Sequence, residues 1–178
     1  MRVITRIKAN LSSAELDLTS QLELSLAKTS FQKELKLKLN SKVMLIHNVD
    51  TSDGLTNGAR GELRGIVDDT KGDPSKLIIK FERESVGKVR RKKYLDISQK
   101  WPGGTPIEKV NFQYSISQSK KSPINTANVI QFPVKLAFAS TAHKIQGATI
   151  SKPQKVIINV DDTFNPAMVY VMLSRVCS

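Results

Sequence analysis

Short apolar segments separated by turn residues dominate the middle of the chain. From Lys33 onward the sequence runs through KVMLIHNV, GELRGIV and KLIIKFE, with turn-rich stretches at residues 50–58 and 71–75. Further strands are expected at residues 88–97 and 109–116. Short strands joined by Gly-rich turns at this spacing predict a small antiparallel β-barrel or sandwich.

The last third of the chain follows a different pattern. After a segment rich in Ser, Lys, Asn and Thr at residues 115–128, we expect a strand (129–138), a short helix (141–146), a second strand (155–160) and a final helix. The final helix has a capping residue, a first-turn proline and an apolar stripe, namely Asn165, Pro166, and Met168, Val169, Met172 and Leu173. An alternation of strands and helices predicts a parallel sheet.

The first thirty residues carry a pattern that does not decide between helix and strand. Leucines at positions 16, 18, 22, 24 and 26 alternate as in a strand and are also spaced loosely as on a helix. We therefore interpret residues 1–33 as a connector, with a helix expected at residues 13–28 and capped by Ser12 or Ser13.

Net charge narrows the class of partner. The 178 residues include 28 Lys and Arg against 16 Asp and Glu, a formal charge of +12. Residues 71–121 hold 13 of the basic residues and only 5 of the acidic ones, and the densest run is KVRRKK at Lys88–Lys93. Such an excess predicts a polyanionic partner, with nucleic acid first. A solubilising surface or a nuclear-import signal is the alternative.

Two other observations exclude whole classes of protein. The longest apolar stretches, at residues 156–160 and 169–173, are far shorter than the roughly 18 residues of a membrane helix, so no membrane partner is expected. The single cysteine, Cys177, excludes an internal disulfide framework and a multi-thiolate metal site. It also favours a reducing compartment, nuclear or cytosolic.

The strongest local signal for chemistry is FPVKLAFASTAHKIQGATI, residues 132–150. It gathers polar, anion-binding groups where a helix is expected to begin: Thr141, His143, Lys144, Gln146 and Gly147. Free N–H groups and a partial positive charge make a helix N-terminus a natural place to hold phosphate. Each residue also has a purely structural interpretation, such as Thr141 as a cap, His143 as the partner of a carbonyl, Lys144 as a solvated surface group and Gly147 as the end of the helix.

A second signal is YVMLSRV, residues 170–176, in which Arg175 follows Ser174 near the end of an apolar helix. A terminal arginine can simply complement the helix dipole. The periodicity does not distinguish that role from a contact with phosphate, so on the residues alone both interpretations stay open.

Taken together, TAHKIQG and YVMLSR resemble motifs V and VI of superfamily 1 DNA helicases of the Pif and RecD type. The segment KLKLNSKVMLIHNVDTSDGLTNGARGELRGI (residues 36–66) is similar to the one that opens the small SH3-like insertion in Pif helicases and in helicases of Helitron transposons. QFPVKLAFA resembles the strand that leads into motif V. The resemblance covers about residues 34–178. It implies an α/β fold, a partial second RecA-like (P-loop NTPase-type) lobe at residues 117–178 with an inserted small SH3-like β-barrel at residues 34–116.

The resemblance also implies roles for the motif residues. Arg175 would be the arginine finger that neutralises charge developing on the γ-phosphate of ATP. Gln146 and Gly147 would couple the nucleotide to a single-stranded DNA track. That track would be lined by Thr141, His143 and Lys144.

The basic insertion would add contacts to DNA phosphates. Its candidate phosphate-binding residues are Arg90, Arg91, Lys92 and Lys93. Candidates for stacking on bases are scarce, and core packing is the alternative for each of them: Tyr94, Trp101, Phe112 and Tyr114.

An enzyme of this class also needs a first lobe with a G-x-x-x-x-G-K-[ST] loop and an acidic pair for Mg²⁺. In this sequence the only Gly-Lys pair, Gly87 and Lys88, is followed by Val89, and VIINVDD (156–162) is expected to be a second-lobe strand rather than a magnesium site. We therefore expect ATP and Mg²⁺ to be bound mainly by a missing first lobe. We expect no metal site in this chain, and both ends of the chain to be cut.

The resemblance thus implies one leading function and leaves one alternative. The leading function is the C-terminal portion of an ATP-dependent 5′–3′ DNA helicase that acts as a monomer on single-stranded DNA and duplex junctions, and the fragment alone is expected to be inactive. The nucleus is the expected location, with the mitochondrion second, and DNA repair, recombination and telomere maintenance are the implied roles. The alternative is a catalytically dead, transposon-derived single-stranded DNA-binding fragment.

Overall fold

A computed structural model describes residues 2–6, 34–115, 126–139, 149–150, 156–158 and 166–177. The chain divides into two compact units, residues 1–137 and residues 138–178. Most of the described residues belong to the first unit. Helices predicted at residues 13–28 and 141–146 lie outside the described residues.

The described part of the first unit is built from short strands and two short helices. Its strands are Arg2–Arg6 (β1), Glu34–Leu37 (β2), Lys42–Leu45 (β3), Arg60–Asp68 (β4), Pro74–Phe81 (β5), Thr105–Glu108 (β6), Val110–Ser115 (β7), Thr126–Gln131 (β8) and Val134–Leu136 (β9). Its helices are Lys88–Lys93 (α1) and Leu95–Lys100 (α2). The second unit contributes the helix Pro166–Leu173 (α3).

Five strands form one antiparallel sheet in the order β6-β5-β4-β3-β9. Strands β1 and β2 form a separate antiparallel pair, as do β7 and β8. The antiparallel arrangement predicted for the middle of the chain is confirmed. The described strands do not close into a barrel, so the SH3-like barrel stays a prediction.

One face of the five-stranded sheet carries the core. Side chains alternate between the two faces of a strand, and in β5 the core face takes Leu77, Ile79 and Phe81. The core is one buried apolar cluster that also includes Leu35, Leu37, Val43, Leu45, Leu55, Leu63, Ile107, Phe132 and Val134. The opposite face of β5 carries Lys76, Ile78 and Lys80, and Ile78 is fully buried there against the backbone of Gly104. Both faces of β5 are therefore buried at Leu77, Ile78 and Ile79.

The strand predicted at residues 88–97 is wrong, because the structure forms helices α1 and α2 there. The Asp53 carboxylate accepts the N–H groups of Val89 and Arg90, so these groups cap a helix and are not available to a strand ladder. Lys and Arg are also good helix formers. The strand predicted at residues 109–116 is confirmed as β7.

The single strand predicted at residues 129–138 is also wrong in its extent and its pairing. It is divided into β8 and β9 at Phe132 and Pro133, where proline has no N–H to donate to a ladder. The Pro133 carbonyl instead accepts the Ile46 N–H at 2.9 Å. Strand β9 pairs antiparallel with β3, so it is not the first strand of a parallel sheet.

The segment interpreted as a connector contains a strand as well. Residues Arg2–Arg6 form β1 and pair with β2, which is 28 to 35 positions away in sequence, with Arg2 opposite Leu37 and Arg6 opposite Glu34. A five-residue strand whose partner is distant in sequence leaves no local pattern that separates it from a loop.

Candidate nucleic-acid interface

The basic run KVRRKK forms helix α1, and a distant aspartate holds its N-terminus. The residue before the helix, Gly87, has no side chain to cap it. The Asp53 carboxylate, 5% exposed, takes that role by accepting the N–H groups of Val89 at 2.8 Å and Arg90 at 2.9 Å. The Asp53 carbonyl also accepts the Gly87 N–H at 2.8 Å. These bonds satisfy helix N–H groups that would otherwise lack partners.

The loop that carries Asp53 is itself ordered by a side chain. The Asp50 carboxylate accepts the Ser52 hydroxyl at 2.6 Å and the backbone N–H groups of Ser52 and Asp53 at 3.1 and 3.3 Å. The hydrogen bond from the Ser52 hydroxyl holds the pKa of Asp50 below its ordinary value. Gly54 follows with φ of 71° and lies against Val86, the residue before the Gly87 cap. The loop and the start of α1 are therefore packed together.

Two of the four predicted phosphate-binding residues have their guanidinium groups bound to the protein. Arg90 Nη2 lies 3.1 Å from Glu108 Oε2, and its side chain is only 20% exposed. Arg91 Nη1 donates to the carbonyl of Val86 at 2.7 Å and to Thr105 Oγ1 at 2.9 Å, while Nη2 donates to the carbonyl of Glu84. Both arginines hold α1 against the body of the unit.

The lysines of α1 are placed differently. Lys88, Lys92 and Lys93 are all exposed, and in the part of the chain that the structure describes no ion pair is formed by any of them. Lys88 and Lys92 are four positions apart, so their side chains share one face of the helix. The charge that α1 offers to solvent therefore comes from lysines, which bind phosphate as point charges rather than as bidentate forks.

The aromatic candidates next to α1 have individual environments. The Tyr94 hydroxyl lies 3.2 Å from Glu108 Oε1, on the same carboxylate that pairs with Arg90. Trp101 lies directly on the backbone of Gly65. Phe112 packs edge-to-face on His47, with 5.0 Å between ring centroids. The Tyr114 side chain lies outside the described residues.

Charged groups on β3 and β4 lie in a row across the sheet. Glu62 pairs with Arg64 Nη1 at 2.6 Å and with Lys42 Nζ at 3.7 Å. The hydrogen bond from Arg64 holds the pKa of Glu62 below its ordinary value. These cations are neutralised locally, unlike the lysines of α1.

In the second unit, helix α3 confirms the helix predicted there, and it leads into Arg175. The half-buried Arg175 side chain donates from Nε to the Val171 carbonyl at 3.3 Å and from Nη2 to Ser174 Oγ at 3.2 Å. Some of its large hydrophobic side chains face solvent, since Tyr170 is 74% and Leu173 is 58% exposed. The role predicted for Arg175 in nucleotide binding stays a prediction.

A short parallel contact joins the ends of the two motif regions. The Ile150 N–H donates to the Arg175 carbonyl at 2.8 Å, and the Cys177 N–H donates to the Ile150 carbonyl at 2.9 Å. This is a single isolated bridge, so the parallel sheet expected for the second lobe stays a prediction. The other residues predicted to lie on the DNA track or beside the nucleotide lie outside the described residues: Thr141, His143, Lys144, Gln146 and Gly147. Residues 156–158, predicted as part of a strand, are described but belong to no strand among the described residues.

Sequence reasoning missed the two carboxylates that organise this surface, Asp53 and Glu108. Asp53 lies in a turn-rich stretch, where an aspartate is expected for local reasons. Glu108 contacts Arg90 and Tyr94, and it also pairs with Lys76 Nζ at 3.5 Å. An acidic residue isolated within a strongly basic region is the one signal that could have identified Glu108.

The described residues hold no group of three or more His, Cys, Asp or Glu side chains arranged to bind a metal ion. They also include no helix long and apolar enough to cross a membrane.

Comparisons with known proteins find that the chain is similar to helicases of the Pif1 type. Residues 24–66 match the family described as DNA helicase Pif1, 2B domain. The ATP-dependent DNA helicase PIF1 of Danio rerio is 30% identical over 149 residues, which are 84% of this chain and 19% of that relative. The ATP-dependent DNA helicase Pif1 of Campylobacter jejuni is 29% identical over 146 residues, 80% of this chain and 27% of the relative.

The fold is shared as well. The crystal structure of Pif1 helicase from Bacteroides in complex with ADP-AlF3 and ssDNA matches 100% of this chain and 33% of that one, with a TM-score of 0.64 and 23% identity. The chain thus spans about a fifth to a quarter of the curated relatives' length. These matches confirm the resemblance to the C-terminal part of Pif-type helicases that TAHKIQG and YVMLSR predicted.

Proposed function

We propose that this chain, a Pif1-like helicase segment, is the C-terminal portion of an ATP-dependent DNA helicase that moves 5′ to 3′ along single-stranded DNA. In this proposal the first unit carries the SH3-like insertion, and the second belongs to the second RecA-like lobe. The similarity to Pif1 helicases supports the ATP-driven reaction, and the related Bacteroides helicase was crystallised with ssDNA and a nucleotide analogue. The direction of movement comes from the resemblance alone.

One observation carries the DNA-binding part of the proposal. Helix α1 is held by part-buried contacts through Asp53, Arg90 and Arg91, yet its three lysines face solvent without ion-pair partners among the described residues. A rigid helix with free ammonium groups can bind a phosphate backbone without ordering new structure. The attraction does not depend on sequence and weakens with salt. A helicase needs this kind of contact, because it must move over every sequence.

The roles of the second unit follow from chemistry and from the motif. When bound, ATP with Mg²⁺ supplies the free energy for movement. Gln146 and Gly147 would lie near the nucleotide, and the planar guanidinium of Arg175 suits contact with a γ-phosphate better than lysine would. The half-buried Arg175 side chain already uses Nε and Nη2 on its own helix, which would fix its orientation toward such a phosphate. Thr141, His143 and Lys144 would contact the strand.

Salt dependence of DNA binding tests the α1 contact. For single strands, each phosphate neutralised contributes about −0.7 to the slope of log K against log salt. Replacing Lys88, Lys92 and Lys93 together by alanine should therefore make the slope less negative by about 2. The measurement is fluorescence anisotropy of a labelled oligothymidylate at several salt concentrations.

The matched control removes the same charge elsewhere. Lys38, Lys71 and Lys80 are also exposed, and they lie outside α1. Their triple alanine variant should keep most of the salt slope. Equal slopes in the two triple variants would mean that the chain attracts DNA only through its net charge, and the proposed contact would be wrong.

A second candidate function is a DNA-binding module without catalysis, because the contacts of α1 require no nucleotide. Hydrolysis separates the two. We expect the chain alone to show no ATPase activity. Sustained, DNA-stimulated hydrolysis by the purified chain that is lost in Arg175→Ala would contradict that expectation. Sequencing the transcript upstream of Met1 would show whether a G-x-x-x-x-G-K-[ST] lobe precedes it, as the helicase requires and the binding module does not.

A further inference from the structure

An open pocket of about 360 Å³ lies between helix α2 and the strands β4 and β5. It is within the size range of small-molecule sites in proteins. Two aromatic and two cationic side chains share its lining with one acidic and two aliphatic residues: Tyr94, Trp101, Lys76, Lys100, Asp96, Val67 and Ile97. None of these residues belongs to the helicase motifs or to the lysines of α1.

The aromatic rings of the pocket are held in place by contacts outside it. The indole of Trp101 lies so close to Gly65 that a Cβ atom at position 65 would come within 2.5 Å of it. The Tyr94 hydroxyl is tethered to Glu108 at 3.2 Å. Both rings are therefore fixed before any ligand arrives, which lowers the entropic cost of binding to them.

Each ring is covered by a lysine ammonium group. Lys100 Nζ lies 4.6 Å from the centroid of the Trp101 ring, and Lys76 Nζ lies 5.8 Å from that of Tyr94. Lys100 is exposed and ends α2, so its ammonium can leave the ring at little cost. A stacked nucleobase interacts more strongly with an aromatic ring than an exposed ammonium does. A base can thus take the place of the lysine, and the ammonium released can bind the adjacent phosphate.

The charge of the pocket selects among possible occupants. Lys76 is paired with Glu108 at 3.5 Å, whereas Lys100 forms no ion pair among the described residues. The exposed lysines of α1 precede Tyr94 directly in sequence and add positive charge beside the pocket. A neutral apolar ligand would give the ammonium groups no anion beyond the Glu108 carboxylate that already pairs with Lys76. An acidic peptide would bind them but leave the rings without a flat partner. One nucleotide of a single strand supplies both a flat base and a phosphate.

We infer that this pocket binds one nucleotide of single-stranded DNA, with the base stacked on Trp101 beside Tyr94 and the flanking phosphates bound by Lys76 and Lys100. The inference rests on the proposed function, because it assumes that single-stranded DNA reaches this unit. It adds a base contact to the phosphate contacts of α1. The stacking does not depend on base identity, as a translocating enzyme requires.

The test uses Trp101, the one tryptophan in the chain. Its fluorescence therefore reports on this pocket alone. Titration with an oligothymidylate should quench the emission, with the same midpoint as the anisotropy of the labelled oligonucleotide. An oligonucleotide of equal length built from abasic sites should bind more weakly and leave the emission unchanged.

Variants separate stacking from charge. Trp101→Phe should keep most of the affinity measured by anisotropy, whereas Trp101→Ala should lower it by about 5- to 150-fold, the range of one stacked base. Circular dichroism checks that both variants fold. Lys76→Ala with Lys100→Ala should weaken binding more than Lys71→Ala with Lys80→Ala, which removes the same charge outside the pocket.

The possible failures are distinguishable. Binding seen by anisotropy without any change in Trp101 emission would overturn the pocket and leave the proposed function standing. No binding by anisotropy would overturn the proposed function itself. Equal quenching by the abasic oligonucleotide would show that no base enters the pocket. Equal quenching by polyglutamate would make the occupant an acidic peptide, and the inference would be wrong.

Discussion

Replacing Asp53 by alanine removes the anchor of helix α1 without touching a lysine. The carboxylate is 5% exposed and accepts the N–H groups of Val89 and Arg90 at 2.8 and 2.9 Å. Gly87, the residue that would normally cap the helix, has no side chain to replace it. In Asp53→Ala the start of α1 loses both bonds, and the basic run is held to the unit mainly by Arg90 and Arg91.

The expected cost follows from these two bonds. Loss of a helix cap costs about 1–2 kcal/mol, and a donor left without a partner costs about 1–3 kcal/mol when it is buried. Val89 is 67% exposed, so water can reach one of the two N–H groups and the lower part of that range applies. We expect a loss of about 2 kcal/mol in the free energy of unfolding.

Urea unfolding followed by Trp101 fluorescence measures this loss. With a urea dependence of about 2 kcal/mol per molar, the midpoint should fall by about 1 M. Asp53→Asn keeps one acceptor oxygen and should lie between the wild type and Asp53→Ala. Glu82→Ala is the control, because Glu82 is exposed and should change stability by less than about 0.5 kcal/mol. An unchanged midpoint in Asp53→Ala would refute the anchoring role.

The same variant separates anchoring from net charge in DNA binding. Removing a carboxylate makes a protein of charge +12 more positive, so charge alone predicts tighter binding of single-stranded DNA. Loss of the anchor lets α1 fray and predicts weaker binding by the lysines. We expect weaker binding in Asp53→Ala by fluorescence anisotropy. Tighter binding would show that the position of α1 does not matter.

Three further predictions concern other parts of the chain. Gly65→Ala should displace the Trp101 indole, because the new Cβ would lie within 2.5 Å of it. We expect a changed emission maximum and a loss of about 1–3 kcal/mol in the free energy of unfolding measured with urea. An unchanged spectrum would contradict the packing of Trp101 on Gly65. The hydrogen bond from Arg64 lowers the pKa of Glu62 in the folded protein. The pair should therefore stabilise the fold at pH values above the ordinary pKa of 4.5, by less than about 1 kcal/mol because the site is solvent-accessible. This stabilisation should be lost as the pH falls through the lowered pKa. Comparing wild type with Glu62→Gln across that pH range tests it, since a constant difference would exclude the pair. In a helicase that contains this chain, Arg175→Ala should lower the rate of ATP hydrolysis by about 10³- to 10⁵-fold with Arg175→Lys little better, and near-normal turnover of either variant would exclude the finger role.

The core strands could be predicted from the sequence because their pattern is local. The short apolar run Leu77–Ile79 with Phe81, bounded by the turn at residues 71–75, is enough to predict a strand, and β5 follows it. The helix α3 was predictable for the same reason, since Pro166 and the apolar residues after it lie within two turns. In each case the residues that decide the structure are neighbours in the chain.

The structure of KVRRKK could not be predicted in this way. The run can form either a strand or a helix, and the choice depends on Asp53, thirty-six positions away from Val89. The separate roles of the basic residues in the candidate site could not be predicted either. Charge identified the four residues from Arg90 to Lys93, but only their partners show that the two arginines hold the helix while the two lysines face solvent.

Hydrogen exchange of the backbone amides, with and without saturating oligothymidylate, tests the central claim most directly. It reports where DNA contacts the chain without any substitution. If DNA binds α1 and the pocket, exchange should slow at residues 87–104, which include α1, α2 and the Trp101 side of the pocket. Unchanged exchange there, with protection confined to other segments, would show that DNA binds elsewhere.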